Sequence, residues 1–424
     1  MKQLTIVGGG WAGLAAAVAA TQTGWHVQLF EAASTAGGRA RSLSQHVAGQ
    51  PLDNGQHVLI GAYRDTLALM RTVGLDPYSL LERCSLDLRF ADGQGIQLPD
   101  WPRPFNLLAG IAQAQGWTLR DKAHLLRAAW GWQRSRFECH QALTVAQLCE
   151  TSGISPLTMQ QLIDPLCLSA LNTPSNQANA TVFLRVLHDA LMGEPGSSDL
   201  LLPRTDLGAL LPDACLTWLS EHGADIHLSK RVNMAHMAEL QQAASIHTPI
   251  LLACPPWEAA RLTADISPTW AYQCAELPHA AIATVYFQCK DAGFQGLSRP
   301  MMALHSDTHA PAQFVFDKGI LCGQHGLLAS VVSACEHERD DLTELVHDQI
   351  CEQLELSNLE IVQTVVEKRA TLLCTPMLNR PESRIAENIW ACGDYISGPY
   401  PSTLEGAVRS GQQVVTNLNQ MAHR

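Results

Sequence analysis

The first 31 residues, MKQLTIVGGGWAGLAAAVAATQTGWHVQLFE (residues 1–31), decide the fold. A secretion signal would need one apolar stretch followed by a cleavage site of small residues. Here Gly8, Gly9 and Gly10 interrupt the apolar stretch, and a second strand-like run, HVQLF, follows almost at once. The segment therefore predicts a buried strand, a glycine turn, a helix and a second parallel strand.

The glycines of this turn have the spacing Gly8-x-Gly10-x-x-Gly13. The first glycine permits a tight turn, the second lets a pyrophosphate approach the backbone, and the third lets the helix pack against the strand. The helix N-terminus then presents unpaired N–H groups to the phosphates. Glu31 ends the second strand, where a carboxylate can accept hydrogen bonds from an adenosine ribose. The pattern predicts a dinucleotide site.

The next segment, EAASTAGGRARS (residues 31–42), places Gly37, Gly38 and Arg39 soon after this acid. The two glycines let the chain fold back over the dinucleotide, and the arginine can then reach the pyrophosphate as a bidentate cation. This run resembles the N-terminal signature of the FAD-dependent amine oxidase and carotenoid desaturase superfamily. The resemblance implies that FAD is the cofactor.

A second part of the signature lies more than 300 residues later, in NIWACGDYISGPYPSTLEGAVRSGQQVVTNL (residues 388–418). The pattern predicts a strand, a Gly-Asp pair, a loop rich in Pro and Gly, and a helix that begins near Thr403. In the superfamily this aspartate binds the flavin ribityl chain, and the helix N-terminus points at the flavin N1–O2 edge. The resemblance implies these roles for Asp394, Thr403, Leu404 and Glu405.

In members of the superfamily, backbone groups of one segment contact the adenine of FAD. The corresponding segment of this sequence lies around Val232. The complete set of candidate FAD-binding residues is Gly8, Gly10, Trp11, Ala12, Gly13, Glu31, Gly38, Arg39, Gln56, His57, Val232, Gly393, Asp394, Thr403, Leu404 and Glu405.

The chain is expected to have an α/β fold, with a Rossmann-like FAD-binding domain of the amine oxidase and desaturase type. This domain is expected to consist of residues 1–75, 200–265 and 380–424. An inserted α+β substrate domain would consist of residues 76–199, which show mainly helical apolar spacing, and residues 266–379, which contain several strand-like runs.

Composition excludes several classes of partner. The net charge of −12 repels nucleic acid and gives no attraction towards anionic lipid. The thirteen cysteines contain no close-spaced pair, which favours reduced thiols in a cytoplasmic protein. His305 and His309 have the only metal-like spacing, but prolines flank them on both sides, so no metal site is predicted. The sequence contains no run of about 18 apolar residues, the length that would predict a membrane span.

The segment PLDNGQHVLIGAY (residues 51–63) carries a polar cluster of Asp53, Gln56 and His57 in apolar surroundings. In the superfamily this segment runs near the isoalloxazine ring. The cluster could equally be a polar turn whose side chains satisfy the backbone. Both interpretations stay open at this level.

The whole chain resembles the hydroxysqualene dehydroxylase family, the squalene-associated FAD-dependent desaturases of hopanoid synthesis. DNGQHVLIGAY (residues 53–63) and LCLSALNTP (residues 166–174) favour this branch. The resemblance implies that an allylic alcohol loses water and that the resulting cation gains hydride from N5 of reduced FAD, which yields squalene. An acid must protonate the departing hydroxyl. Asp53, His57 and Tyr400 are the candidates.

Alternatives are an oxidative carotenoid or phytoene-type desaturase, a flavin amine oxidase, and a non-catalytic lipid-binding escort protein on the same fold. The electron donor is not identified by the sequence. A squalene-sized substrate partitions into lipid, so peripheral attachment to the inner face of the cytoplasmic membrane is expected, through an apolar lip on the first insertion. The acidic net charge predicts that this attachment resists salt.

Overall fold

The computed structural model describes residues 2–47, 49–102, 104–140 and 142–422. The strands are β1 (Gln3–Val7), β2 (His26–Phe30), β3 (Ser42–Val47), β4 (Gln50–Asp53), β5 (Leu59–Ile60), β6 (Leu81–Cys84), β7 (Asp87–Arg89), β8 (Gly95–Gln97), β9 (Leu200–Pro203), β10 (Asp225–His227), β11 (Ile250–Leu252), β12 (His279–Cys289), β13 (Met301–Ala303), β14 (Phe314–Asp317), β15 (Leu327–Ser333), β16 (Leu359–Leu372), β17 (Arg384–Ala386) and β18 (Ile389–Ala391).

The helices are α1 (Trp11–Gln22), α2 (Arg64–Thr72), α3 (Pro77–Leu80), α4 (Phe105–Gln113), α5 (Leu119–Arg134), α6 (Val145–Thr151), α7 (Pro156–Thr158), α8 (Asp164–Leu171), α9 (Ala180–Met192), α10 (Leu207–Leu210), α11 (Pro212–Glu221), α12 (Met234–Ala243), α13 (Pro256–Thr263), α14 (Pro268–Ala275), α15 (Lys318–Cys322), α16 (Arg339–Leu354) and α17 (Leu404–Ala422). A π-helical segment, Met159–Ile163, joins α7 to α8.

A six-stranded sheet has the strand order β10-β2-β1-β11-β18-β17. All neighbouring strands in it are parallel except β17 and β18. The central strand β1 buries Leu4 and Ile6 completely, because parallel strands covered on both faces are apolar throughout. The connection from β1 through α1 to β2 is the βαβ unit that the first 31 residues predict.

Helices α1 and α17 pack against each other and cover one face of this sheet. Most of α1 consists of small, buried residues, which lets α17 approach its backbone closely. A β-carbon at Gly411 of α17 would lie only 2.2 Å from the carbonyl oxygen of Ala12. The two helices therefore meet backbone to backbone.

A second sheet of five antiparallel strands has the order β13-β14-β15-β12-β16. The long strand β12 lies between β15 and β16 in this sheet. Its successive side chains point to opposite faces of the sheet, and each face packs in a different core. Ala283, Val285 and Phe287 belong to the core that α16 covers. Ile282 and Tyr286 belong to the core shared with the helices between residues 105 and 192.

The strands of the six-stranded sheet all lie in residues 1–75, 200–265 and 380–424, and those of the five-stranded sheet in residues 266–379. The division into two domains stays a prediction.

Two features differ from the sequence pattern. The strand before Val232 is short, since β10 ends at His227 and α12 begins at Met234. The long strand β16 was not predicted, because it is an edge strand with many exposed charges.

All thirteen cysteines are unpaired, and most of them are buried. None of the helices described is long and apolar enough to span a bilayer. The residues that the structure describes also contain no group of three His, Cys, Asp or Glu side chains placed to hold a metal ion.

Candidate active site

A cavity of about 640 Å³ lies between the two sheets, at the carboxyl ends of β1 and β11. This is the crevice at which parallel α/β sheets bind their ligands. One end is formed by the glycine turn and by the segments that follow β10, β11 and β18. The other end is mainly apolar: Val58, Ile282, Phe314, Phe316, Val331 and Val365 line it, and the polar residues Ser169, Asn172 and Ser333 also line the cavity.

The glycine turn has the tight geometry that its spacing predicts. Gly8 has a φ of +117°, and a β-carbon on it would lie 2.5 Å from the carbonyl oxygen of Ala253. A β-carbon on Gly13 would lie 2.0 Å from the carbonyl oxygen of Gly8, so α1 begins in contact with the strand. At Gly10 the only atom within 4 Å of such a carbon is the Cα of Gly38, at 3.8 Å. Gly10 therefore faces open space in the cavity wall.

Glu31 lines the cavity and also holds the turn in place. Its Oε2 accepts a hydrogen bond from the Gly9 N–H at 2.7 Å, and its Oε1 accepts one from the Ala33 N–H at 2.7 Å. Each carboxylate oxygen can accept more than one hydrogen bond. The side chain thus retains acceptor capacity for a ribose.

Arg39 connects three distant parts of the chain across the cavity. Its Nη2 lies 2.5 Å from Oδ1 of Asp394, and its Nη1 donates to the Ala370 carbonyl at 2.6 Å. These contacts join the glycine segment, β16 and the loop after β18. Both Arg39 and Asp394 line the cavity.

Arg380 is a site residue that the sequence did not reveal. Its guanidinium donates to the carbonyls of Asp394 at 2.6 Å and Tyr400 at 2.5 Å, and so holds the loop between them. Burial lowers the pKa of this arginine, but it remains charged because its ordinary value is 12.5. No motif or spacing marks this position, since its partners are all backbone carbonyls.

Most of the predicted cofactor-binding residues meet at the cavity. Those that line it are Gly8, Gly10, Trp11, Ala12, Glu31, Gly38, Arg39, Gln56, His57, Val232, Gly393, Asp394, Thr403 and Leu404. Gly13 lies behind the turn, and Glu405 lies outside the cavity wall.

The Glu405 carboxylate has its hydrogen-bond partners in α2, and a contact between Glu405 and FAD stays a prediction. Its carboxylate accepts hydrogen bonds from the N–H of Asp65 and from the N–H and hydroxyl of Thr66, at 2.7–3.1 Å. These N–H groups belong to the first turn of α2, which has no internal partners for them. Glu405 is buried, and its carboxylate caps α2.

The Asp53 side chain is not among those that line the cavity. Its Oδ2 lies 3.7 Å from Nζ of Lys318, and its Oδ1 accepts from the Leu207 N–H at 2.9 Å. Both side chains of the pair are almost fully buried. Burial raises the pKa of Asp53, and the Lys318 charge opposes that shift. Asp53 therefore links β4 to α15 and α10, and its role as the acid stays a prediction.

Tyr400 belongs to a cluster of charged side chains. Its hydroxyl donates to Oδ2 of Asp189 at 2.9 Å and accepts from Arg185 and Arg409, each at 3.1 Å. The two guanidinium groups also lie over its ring. This cluster joins α9 to α17, and Tyr400 is not among the residues that line the cavity, so its role as the acid stays a prediction.

His57 is the candidate acid that does line the cavity. Its Nδ1 lies 3.2 Å from the carbonyl oxygen of Gly55. A carbonyl only accepts, so Nδ1 carries a proton and Nε2 is the titrating atom. Burial lowers the pKa of His57 below its ordinary value of 6.5.

Glu367 on β16 is a second titratable group at the cavity that the sequence did not reveal. It lies two residues after Val365, so the two side chains share a face of the strand. Asn54 donates from Nδ2 to the Arg39 carbonyl at 2.8 Å and to Oε2 of Glu367 at 3.3 Å. Glu367 thus lies where the apolar end of the cavity meets the glycine turn.

Two buried hydroxyl groups in the cavity wall support a polar ligand. Oγ1 of Thr371 and the phenolic oxygen of Tyr395 have no hydrogen-bond partner among the residues described. Both residues line the cavity. Because buried polar groups are nearly always paired, these hydroxyls fit contacts to a bound cofactor.

The family model described as flavin containing amine oxidoreductase matches residues 11–236, more than half of the chain. The chain belongs to this family. It is an FAD-dependent oxidoreductase, and the predicted FAD-binding α/β fold is confirmed.

Individual relatives match nearly the full length of this flavin oxidoreductase. It is 26% identical to the hydroxysqualene dehydroxylase of Zymomonas mobilis, over 97% of this chain and 98% of that one. It is 25% identical to the hydroxysqualene dehydroxylase of Rhodopseudomonas palustris, over 97% of both chains. A solved oxidoreductase from Methanosarcina mazei has the same fold, with a TM-score of 0.70, 13% identity, and coverage of 98% of this chain and 100% of that chain.

The cavity of this family member fits FAD at each polar contact. The glycine turn and the α1 N-terminus can hold the pyrophosphate, and Glu31 can accept from the adenosine ribose. Asp394 can bind the ribityl chain, and the N-terminus of α17, with Thr403 and Leu404 in the wall, can face the flavin ring.

We expect Gly10→Val to separate cofactor binding from folding. The position has a φ of −73° and opens into the cavity, so valine can be accommodated, but its side chain occupies space that a pyrophosphate needs. The purified variant should melt cooperatively and lack bound flavin, as read from circular dichroism and visible absorbance.

Two control variants accompany this measurement. Gly131→Val lies in α5 with nothing within 4 Å of a β-carbon, and it should keep its FAD. Gly8→Val should fail to fold, because of the positive φ and the clash with Ala253. A Gly10→Val protein with stoichiometric FAD would contradict the assigned phosphate site.

We expect Lys318→Met to destabilise the protein by about 3–5 kcal/mol near neutral pH, because it leaves the Asp53 carboxylate buried and unpaired. The folded-state pKa of Asp53 is already above its ordinary value of 3.8, so ionising Asp53 costs folding free energy as pH rises. Without Lys318 that pKa rises further. The deficit in folding free energy of Lys318→Met relative to wild type should therefore shrink as pH falls and Asp53 becomes neutral.

Urea denaturation at several pH values measures this deficit. The double variant Asp53→Asn with Lys318→Met should recover much of the loss at neutral pH. A deficit that does not change with pH would show that packing, and not charge, accounts for the effect.

Proposed function

We propose that this FAD-dependent oxidoreductase reduces the allylic alcohol of a linear triterpenoid and converts hydroxysqualene to squalene. The observation that carries the proposal is the two-part cavity. Its apolar end, formed by β12, β14, β15 and β16, adjoins a flavin-site end that contains Arg39 and Asp394. Relatives named hydroxysqualene dehydroxylase match nearly the full length of the chain and support the same reaction.

The apolar end suits a branched hydrocarbon chain. Phe314, Phe316 and Val331 are nearly fully buried there, on the inner face of the five-stranded sheet. Burial of apolar substrate surface is favourable by about 25 cal/mol per Å². The same walls exclude water, which would otherwise recapture an allylic cation.

The reaction breaks the C–O bond, releases water and places hydrogen on the carbon. Reduced FAD, when bound, supplies the two electrons and that hydrogen. The protein's part is to protonate the departing hydroxyl and to hold the chain so that its allylic carbon lies at the boundary between the two ends of the cavity.

Among the titratable side chains of the cavity lining, His57 is next in sequence to Val58 and Glu367 shares a strand face with Val365, so both adjoin the apolar end. His57 can give up a proton from Nε2 only when its ring is charged, since Nδ1–H is already bonded to Gly55. Glu367 can give up a proton from its carboxyl group, and Asn54 orients it. One of these two side chains takes the role of acid.

Anaerobic turnover tests the reaction. Enzyme reduced with dithionite is mixed with hydroxysqualene, the product is identified by mass spectrometry, and flavin reoxidation is followed near 450 nm, roughly where flavins absorb. We expect squalene in an amount equal to the flavin oxidised. In parallel, the oxidised enzyme is mixed with phytoene and with a primary amine. Bleaching by either of these, without squalene formation from hydroxysqualene, would overturn the proposal.

The acid is identified with His57→Gln and Glu367→Gln, both of which preserve size. We expect both variants to retain FAD and one of them to lose about 10²–10⁴-fold in turnover. Tyr400→Phe, outside the cavity lining, is the control and should keep its rate. If His57 is the acid, wild-type turnover falls as pH rises through its lowered pKa, below 6.5. Full activity in both glutamine variants would exclude both side chains.

A further inference from the structure

Helices α4 and α5 are apolar on two faces. On the inner face, Ile111, Leu125 and Trp132 are buried in the core that also contains Phe314 and Phe316. An apolar helix face is normally buried against another part of the protein. The outward face of these helices is nevertheless uncovered by the residues described.

The exposed apolar side chains of α4 and α5, together with Trp101 just before α4, are called here the outer face. In α5, Leu119, Ala123, Leu126 and Trp130 follow one another at intervals of four, three and four residues, which places them on one side of the helix. The large apolar side chains of the outer face and their exposed fractions are Trp101 54%, Phe105 62%, Leu108 46%, Leu119 86%, Leu126 38% and Trp130 62%.

A row of arginines runs beside the apolar stripe of α5. Arg120, Arg127 and Arg134 are spaced by seven residues, two turns of helix, and all three are exposed. Within the part of the chain described, none of the three forms a salt bridge with a carboxylate. The Arg134 guanidinium instead lies over the Trp130 ring, 5.7 Å from its centroid.

The local charge is opposite to that of the whole chain. Residues 101–136 contain five arginines, one lysine and one aspartate, a net charge of +5. Since the whole chain has −12, the remaining residues have −17. The expectation that the acidic net charge gives no attraction towards anionic lipid therefore does not hold for this segment.

We propose that the outer face of α4 and α5 docks on a lipid bilayer that contains anionic headgroups. An exposed helix with Leu and Trp on one side and arginines alongside has the pattern of an interfacial amphipathic helix. Tryptophan favours the headgroup level, and arginine can keep its charge among phosphates while its stem lies in the apolar layer.

The charge pattern favours lipid over a second copy of this chain. In a symmetric dimer the same patch of both subunits meets itself, which would bring two rows of arginines together. An anionic bilayer presents opposite charge to the row and hydrocarbon to the stripe. The docking surface is independent of the identity of the substrate.

Vesicle flotation tests the proposal without any substrate. FAD-loaded protein is mixed with vesicles of phosphatidylcholine, with or without phosphatidylglycerol, and the bound fraction is measured at low and high salt. We expect binding to the anionic vesicles that weakens, but is not abolished, at high salt. Arg120→Gln, Arg127→Gln and Arg134→Gln combined should reduce it about 100-fold, since one basic residue contributes about fivefold.

Leu119→Ser with Trp130→Ser should reduce binding at least about tenfold at both salt concentrations, because it removes buried apolar area. Matched controls alter exposed residues outside the two helices. Tyr272→Ser with Met377→Ser removes similarly exposed apolar side chains, and Arg71→Gln, Lys290→Gln and Arg384→Gln combined remove the same charge. Both controls should bind as wild type, and every variant should keep its FAD.

Two results would overturn the proposal. One is the absence of wild-type binding to anionic vesicles, or an equal loss in the control variants. The other is a dimer in sedimentation velocity that Leu119→Ser with Trp130→Ser dissociates, since a second copy would then cover the outer face. Neither result depends on hydroxysqualene turnover, so failure of the docking surface and failure of the proposed reaction are distinguishable.

Discussion

Backbone contact at three glycines is the constraint on which the flavin site depends. Gly13 lets α1 start against the carbonyl of Gly8, and Gly411 lets α17 cross α1 at Ala12. A single β-carbon at Gly13 or Gly411 would lie 2.0–2.2 Å from a carbonyl oxygen, far inside any contact distance. These two approaches bring the N-termini of both helices to the edge of one sheet. The N-terminus of α1 can there hold the central pyrophosphate of FAD, and the N-terminus of α17 can face the flavin ring.

Polar contacts then fix the loops around this frame. Arg39 and Arg380 hold the loop after β18 from opposite sides, through Asp394 and the backbone carbonyls. Asp53 and Lys318 hold β4 against α15 beneath the cavity. A buried pair of this kind gains little stability over apolar side chains of the same size. Its effect here is to set the position of the segment that carries Gln56 and His57.

The sequence predicts the parts of the site that local pattern controls. The glycine spacing, the strand that ends at Glu31 and the Gly-Asp pair before α17 are all short-range signals, and each lies at the cavity. The catalytic candidates were less well predicted, because a polar cluster within a turn does not reveal which side chains face inward. Asp53 and His57 are four residues apart, yet only His57 lines the cavity, because the side chain of Asp53 forms an ion pair with Lys318.

Glu405 illustrates the same limit within a helix. It follows Leu404, but one residue is about 100° of helix rotation, and this turns its carboxylate from the cavity to α2. Glu367 and Arg380 act through partners more than 300 residues away or through backbone carbonyls. No periodicity in the sequence encodes such contacts. Only the packing of the two sheets reveals them.

The pairing of Arg39 with Asp394 has a consequence for the order of events during synthesis. The glycine turn is translated before β18, Asp394 and α17, which complete the sheet and the cavity, and Asp394 follows Arg39 by 355 residues. At rates of about 5–20 residues per second, the turn waits tens of seconds for its other half. Flavin capture at the complete site is therefore expected only after α17 has been made, and until then the small apolar residues of α1 lack the cover that α17 provides.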